Sequence, residues 1–164
     1  MSVQPSRQGV IAALVAHLEK ERAVYERIAE QARLDAIDGE MKQEGKYDTR
    51  AIEASYLAGA QKRRLEEIII EIQSLKALPS VNLEGADVIT IGSLVQMESA
   101  SGTHQWYFIS PLSGGLDVEE SGGVKVVSSK SPIAQALFGL ALGEEPTREP
   151  LPATLKRATV SEIL

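Results

Sequence analysis

The side chains able to do chemistry crowd into DGEMKQEGKYDTR, residues 38–50. Thirteen residues there hold four carboxylates (Asp38, Glu40, Glu44 and Asp48), three basic side chains and two glycines, with only Met41 and Tyr47 offering much to bury. Glu40 and Glu44 stand four apart, so they share one face if the backbone is helical. Charges between helices are usually a solvated turn. The other reading is that the flanking segments exist to carry these acids to a partner. Nothing else in the chain has the spacing of an active site. His17 and His104 lack a second His or a carboxylate at zinc-ligand spacing. No GxSxG or Ser–Lys pattern is present. Gly114-Gly115 and Gly122-Gly123 read as turn glycines rather than phosphate loops.

The segments on either side of the acids are long and periodic. From Gly9 to about Ile37, apolar residues recur at spacings of three and four through Ile11, Leu14, Leu18, Tyr25, Ile28 and Ala32, with Glu21 the one charged break. That is a coiled-coil seam. A second run, about Thr49 to Leu78, carries its seam on Ala54, Ala58, Gln61, Leu65, Ile68, Ile72 and Leu75. Asp48 or Thr49 could cap its start, and Pro79 ends it. Two such helices with a short polar connection fold back as an antiparallel hairpin, each arm about 45 Å long. The acids then sit at its tip, near 38–48. On the second helix, Lys62, Arg63 and Arg64 form the densest basic cluster. They read either as a solvated face paired with Glu66 and Glu67 or as a contact for an acidic partner.

After Pro79 the period changes to that of strands. VITIGSLVQMES, HQWYFISP and GVKVVSS are rich in β-branched and aromatic residues, and ESGG supplies a turn. SPIAQALFGLALGEE reads as a helix with Ser131 as N-cap and Pro132 at its first position, stopping at Gly143. A last strand covers about Thr154 to Leu164. The expected fold is α+β: a coiled-coil hairpin over 1–78, then a small antiparallel sheet with one short helix over 79–164.

Composition narrows the function classes. Of the 164 residues 43% are hydrophobic but only 4% aromatic, and the net charge is −6. This disfavours base stacking and a surface that binds phosphate backbones as a whole, so no direct sequence-specific DNA binding is expected. The hairpin half holds 12 Lys+Arg against 13 Asp+Glu, so the basic side chains are concentrated there. With no cysteine, disulfides and thiolate metal sites are excluded. Arg7 before GVIAALVAHL hints at a signal peptide, but EKERAVYERI follows in helical register where a cleavage site should be. No stretch is long enough to span a bilayer. The expectation is a soluble, cytoplasmic protein.

Taken together, VITIGSLVQM, WYFISP, GVKVVSSKSPIAQALFGLALGEEP and the final strand resemble, in order and spacing, the FKBP-like domain of the bacterial Gre transcript-cleavage factors. The Ser-Pro-apolar helix followed by Gly143-Glu144 is the strongest of these signals. GEMKQEGKY (39–47) lines up with that family's tip motif, Gly-Asp-Leu-Lys-Glu-Asn-Ala-Glu-Tyr, and the resemblance covers nearly the whole chain. It implies a transcription elongation factor rather than an enzyme. The hairpin would enter the secondary channel of RNA polymerase and reach the RNA 3′ end. Two tip acids would help place a Mg²⁺ shared with the polymerase and the attacking water, so that the polymerase cleaves its own backtracked RNA. No cofactor is implied for the factor alone.

By position the first tip acid falls on Glu40 and the second on Gln43, an amide, with Glu44 beside it. An amide can ligate through its oxygen but brings no negative charge to a hard cation. DTRAIEASYLAGAQ also looks like a Gre-related subgroup that differs at the tip. Three alternatives stay open: Glu40 and Glu44 form the acid pair, Asp38 or Asp48 assists, or cleavage is lost and the protein is a non-cleaving channel regulator. Asp38, Tyr47, Asp48, Lys62, Arg63 and Arg64 are the implied binding residues. A third reading, an FKBP-like prolyl isomerase or chaperone, would need an aromatic pocket. Trp106 and Phe108 share one strand face and Tyr107 points the other way, which suits a sheet core better.

Overall fold

The computed structural model describes residues 4–41, 49–79, 87–112, 114–118 and 122–164, with the backbone alone at 40, 41 and 49–52. Ser6 starts the first helix: its hydroxyl accepts from the Gly9 amide at 3.0 Å and its carbonyl accepts from Val10 at 3.0 Å. Helix α1 runs Arg7–Met41 and α2 runs Thr49–Lys76, where Pro79 forbids continuation. Beyond them lie β1 (Leu94–Glu98), β2 (His104–Ser110), β3 (Asp117–Val118), β4 (Val124–Ser128), α3 (Pro132–Leu137) and β5 (Thr159–Ile163).

By contacts the chain falls into two compact units, one joining Met1–Val15 to Ser74–Leu164, the other Ala16–Gln73. In the second unit Glu21 of α1 meets Arg64 of α2. In the first, Ile11 and Val15 line a cleft with Leu75 and Leu78. Numbers rise along α1 as they fall along α2, so the helices form the expected antiparallel hairpin. Leu18, Ile68 and Ile72 are buried in the hairpin unit, and Val10, Leu14 and Leu75 in the other. Burial fades along the arm. Ile28 is 37% exposed and Leu57 59%, and Ala54 and Ala58, expected in the seam, are exposed. Alanine removes too little apolar area from water to hold a seam closed.

The sheet corrects an expectation. It is mixed, in the order β3-β4-β2-β1-β5, because β2 pairs with β4 in parallel, Tyr107 against Lys125 and Ile109 against Val127. The glycine turn before β4 does make a hairpin, but with the two-residue β3, which spaces the parallel pair. A parallel connection needs a dozen or more residues, and the stretch from Ser110 to Val124 supplies that. β1 pairs antiparallel with β2 and β5, with a bulge at Gln96/Met97.

α3 begins as expected. Ser131 is extended (φ −69°, ψ 152°) and its hydroxyl accepts from the Ala134 amide at 3.1 Å, with Pro132 following. It ends at Leu137, earlier than Gly143. Gly139 already turns the chain at φ +79°, and the Gly143 amide is engaged by the Val160 carbonyl at 2.8 Å. Thr154 belongs to a 3₁₀ turn, Ala153–Leu155, not to the last strand. On one sheet face Val95, Met97, Tyr107, Ile109, Val127 and Val160 share a core with Ala134 and Leu137 of α3. On the other, Leu94, Trp106, Phe108 and Val126 are buried as well. All three consecutive aromatics are therefore core.

One buried cation ties this unit together. The Arg7 guanidinium donates from Nε to the Gly92 carbonyl and from Nη1 to the Pro79 carbonyl. Burial pushes its pKa down from the ordinary arginine value. Gly92 has φ +89°, and a Cβ there would sit 3.0 Å from both Arg7 Nη2 and Leu78 Cδ2. Only glycine meets both demands.

Candidate functional site

The hairpin presents the candidate residues unequally. α1 remains helical through Met41, so Glu40 lies on its last turn. Asp38 is exposed on the same helix and takes part in an interaction of its own. Gln43, Glu44, Tyr47 and Asp48 lie outside the described residues, and with them the geometry of the acid pair. Among the described residues, no group of three or more His, Asp or Glu could hold a metal ion. No helix among them is long and apolar enough to cross a membrane.

Lys62, Arg63 and Arg64 are consecutive on α2 and about 100° apart around it, so they point in different directions. Lys62 and Arg63 are exposed and make no ion pair among the described residues. Arg64 turns inward. Its Nη2 and Nε donate to Glu21 Oε1 across the hairpin at 2.9 and 3.1 Å, and its Nη1 lies 3.5 Å from both Glu67 and Glu71. Burial pulls the Arg64 pKa down, and the hydrogen bond and charge of Glu21, then the charge of Glu71, raise it above the ordinary value. The charged break that Glu21 makes in the seam is thus half of a cross-helix ion pair. Glu71 adds a buried Oε2 with no hydrogen-bond partner among the described residues.

The outer face of α1 is laced with pairs within a turn, Arg22 with Glu26 at 2.8 Å and Arg33 with Glu30 at 2.8 Å. Glu30 is pulled below the usual carboxylate range, first by its hydrogen bond to Arg33 and then by the Arg33 charge. Such exposed pairs contribute little to stability.

The sheet domain has a cleft of about 180 Å³ between the open end of the core and the turn at 99–103. Its one aromatic is Tyr107, because Trp106 and Phe108 face the other side. The ring of aromatics that a prolyl-isomerase pocket would need is not there among the described residues. Two features escaped the sequence. Arg7 looked like a solitary charge ahead of an apolar run, and only its nearness to Gly92, distant in sequence, reveals its task. The interhelical role of Arg64 was signalled by Glu21 and Gln61, the two polar positions that interrupt opposite seams.

No family model matches the chain, and no curated protein matches it. Among solved structures, GreA factor homolog 1 (Gfh1) of Thermus thermophilus matches at 23% identity and a TM-score of 0.38, over 92% of this chain and 94% of that one. Gfh1 of Thermus aquaticus matches at 24% identity and 0.37, over 90% and 92%. A structure described as the transcription factor Gfh1 matches at 22% and 0.35, over 91% and 92%. No name or role passes from them to this chain.

Proposed function

We propose that this protein is an RNA polymerase-binding elongation factor of the Gre type, carrying its hairpin into the secondary channel with the 38–48 acids leading. The observation that carries the reading is an arm closed by its own cross-helix ion pair, with the tip motif GEMKQEGKY at its far end. The sheet domain, with the Ser131-Pro132 helix that carries the resemblance, would dock at the channel rim. Lys62 and Arg63, exposed and without an ion pair among the described residues, are arm residues available to polymerase acids or RNA phosphate, whereas Arg64 is already engaged within the hairpin.

In this reading Glu40 and Glu44 contribute negative charge where the polymerase recruits a second Mg²⁺ and a water, and Gln43 orients the water. The chemistry belongs to the polymerase, and the factor is not an enzyme. Alone, an exposed tip is no preformed cage, so Mg²⁺ binds it weakly. The second reading keeps the docking without the cleavage, and Gln43 at the family's acid position favours it.

The test is transcript cleavage on a backtracked elongation complex with Mg²⁺, comparing the protein with Glu40→Ala, Glu44→Ala and Gln43→Glu. Loss of cleavage in Glu40→Ala, with binding to core polymerase retained, supports the cleavage factor. Binding without cleavage, with activity gained in Gln43→Glu, supports the regulator. Absence of polymerase binding refutes both.

A further inference from the structure

The cleft on the sheet domain has the chemistry of a ligand site. Its floor is apolar: Met97, the ring of Tyr107 and Ala158, each almost wholly buried. The rest of its lining is polar, formed by Ser99, Thr103, Gln105, Thr154 and Lys125. Ser99 and Thr103 are held in place by the turn, since the Thr103 amide donates to Ser99 Oγ at 3.1 Å and Ser101 bridges their hydroxyls at 2.8 and 3.1 Å. Gln105 cannot compete for a ligand through its amide nitrogen, which donates to the Trp106 and Gly123 carbonyls at 3.0 and 2.9 Å.

Among the described residues three lining donors are left over: the exposed Thr154 hydroxyl, Tyr107 and Lys125. Tyr107 is 2% exposed and lines the cleft, and its hydroxyl makes no hydrogen bond among the described residues. Lys125 stands beside it in the parallel register of β2 and β4, so both side chains leave the same sheet face. Asp117 is opposite Lys125 in β3 but makes no ion pair with it. Among the described residues the lining therefore carries one cation, no anion, and a phenol without a hydrogen-bond partner over an apolar floor.

We propose that this cleft binds a single carboxylate on a short apolar stem. The carboxylate accepts from Lys125 Nζ and Tyr107 Oη, and the stem lies on Met97 and Ala158. A cavity of about 180 Å³ is smaller than the roughly 300 Å³ at which pockets for drug-sized molecules begin. The occupant is thus one side chain or an equally small free acid. An acidic side chain of a protein partner and a small metabolite share this chemistry.

The experiment is an amide-resolved NMR titration of the full chain with butyrate, with butyramide as its neutral isostere, and with N-acetyl-glutamate N-methylamide. Butyrate is expected to shift the amides of Thr103, Gln105, Tyr107, Lys125 and Ala158 saturably. It should bind about fivefold more tightly than butyramide, the ratio expected of an exposed ion pair. Lys125→Met, at an exposed position, abolishes that preference. Tyr107→Phe, which removes one oxygen, weakens butyrate by a similar factor without moving the other resonances. Tighter binding of the glutamate derivative than of butyrate identifies a protein side chain as the source, and the reverse a free acid. Shifts that do not saturate, equal affinity for acid and amide, or a preference that survives Lys125→Met overturns the proposal.

Discussion

Replacing Arg64 by Met tests what holds the arm closed. Methionine keeps the apolar stem against the seam, so the substitution removes charge and hydrogen bonds rather than packing. The two bonds to Glu21 Oε1, at 2.9 and 3.1 Å, join side chains that are 33% and 27% exposed. A hydrogen bond to a charged group contributes about 1.5–3 kcal/mol when buried, and a fully exposed ion pair about 0–1 kcal/mol. Partial exposure places this pair near 1.5 kcal/mol. Removal also leaves Glu21, Glu67 and Glu71 without their shared cation. For a chain of this length that corresponds to a fall in Tm of about 3–6 °C. Denaturation followed by the helical circular-dichroism signal, in a cycle of Glu21→Gln, Arg64→Met and the double variant, should give a coupling of about 1 kcal/mol. Since the pair is partly shielded, raising salt should reduce that coupling without abolishing it. Additive single effects, or an Arg64→Met variant as stable as the parent, would refute the claim that this ion pair closes the hairpin.

Gly92→Ala should cost about 2 kcal/mol, because alanine at φ +89° is strained and its Cβ meets Arg7 and Leu78; a denaturant midpoint unchanged from the parent would remove Gly92 from the explanation. Ser131→Ala should cost about 1 kcal/mol and speed hydrogen exchange at the Ala134 amide, the donor to its hydroxyl; unchanged exchange there would show that the cap is idle. Glu30 should titrate below an ordinary glutamate by NMR and move up in Arg33→Gln. Because its folded pKa is depressed, any stability from this carboxylate is present above the unfolded pKa and lost as pH falls through the folded one. A Glu30 midpoint indifferent to Arg33 would contradict the pairing.

What could be read in the sequence was local. The three-and-four spacing of Leu14, Leu18, Ile68, Ile72 and Leu75 reflects a seam that local periodicity imposes, and the structure buries all five. Ser131-Pro132 specifies a helix start through two adjacent residues, and Ser131 caps α3. What failed depended on distance. Strand direction is set by the path between strands, and Asp117–Val118 is too short to announce itself as the strand that makes β2 and β4 parallel. Gly139 and Gly143 both have positive φ, so the sequence offered two stops for α3, and only the backbone bond from Gly143 to Val160 chooses between them. At the site, Glu40 could be placed on a helix. Gln43 and Glu44, which decide the acid pair, lie outside the described residues.

Arg7 and Gly92 are bonded although 85 positions apart, which bears on how the chain finds its fold. Closing a flexible loop of that length costs about 4 kcal/mol in chain entropy. The hairpin of residues 16–73 lies wholly inside it, and its two helices are built from local contacts, which form early. Once the arm has folded back, the effective loop is roughly a third as long, and the closure cost falls by about 1 kcal/mol. The arm therefore acts as a kinetic shortcut for the sheet domain. Substitutions that loosen it, Arg64→Met among them, should slow refolding of the sheet core as well as destabilise the helices.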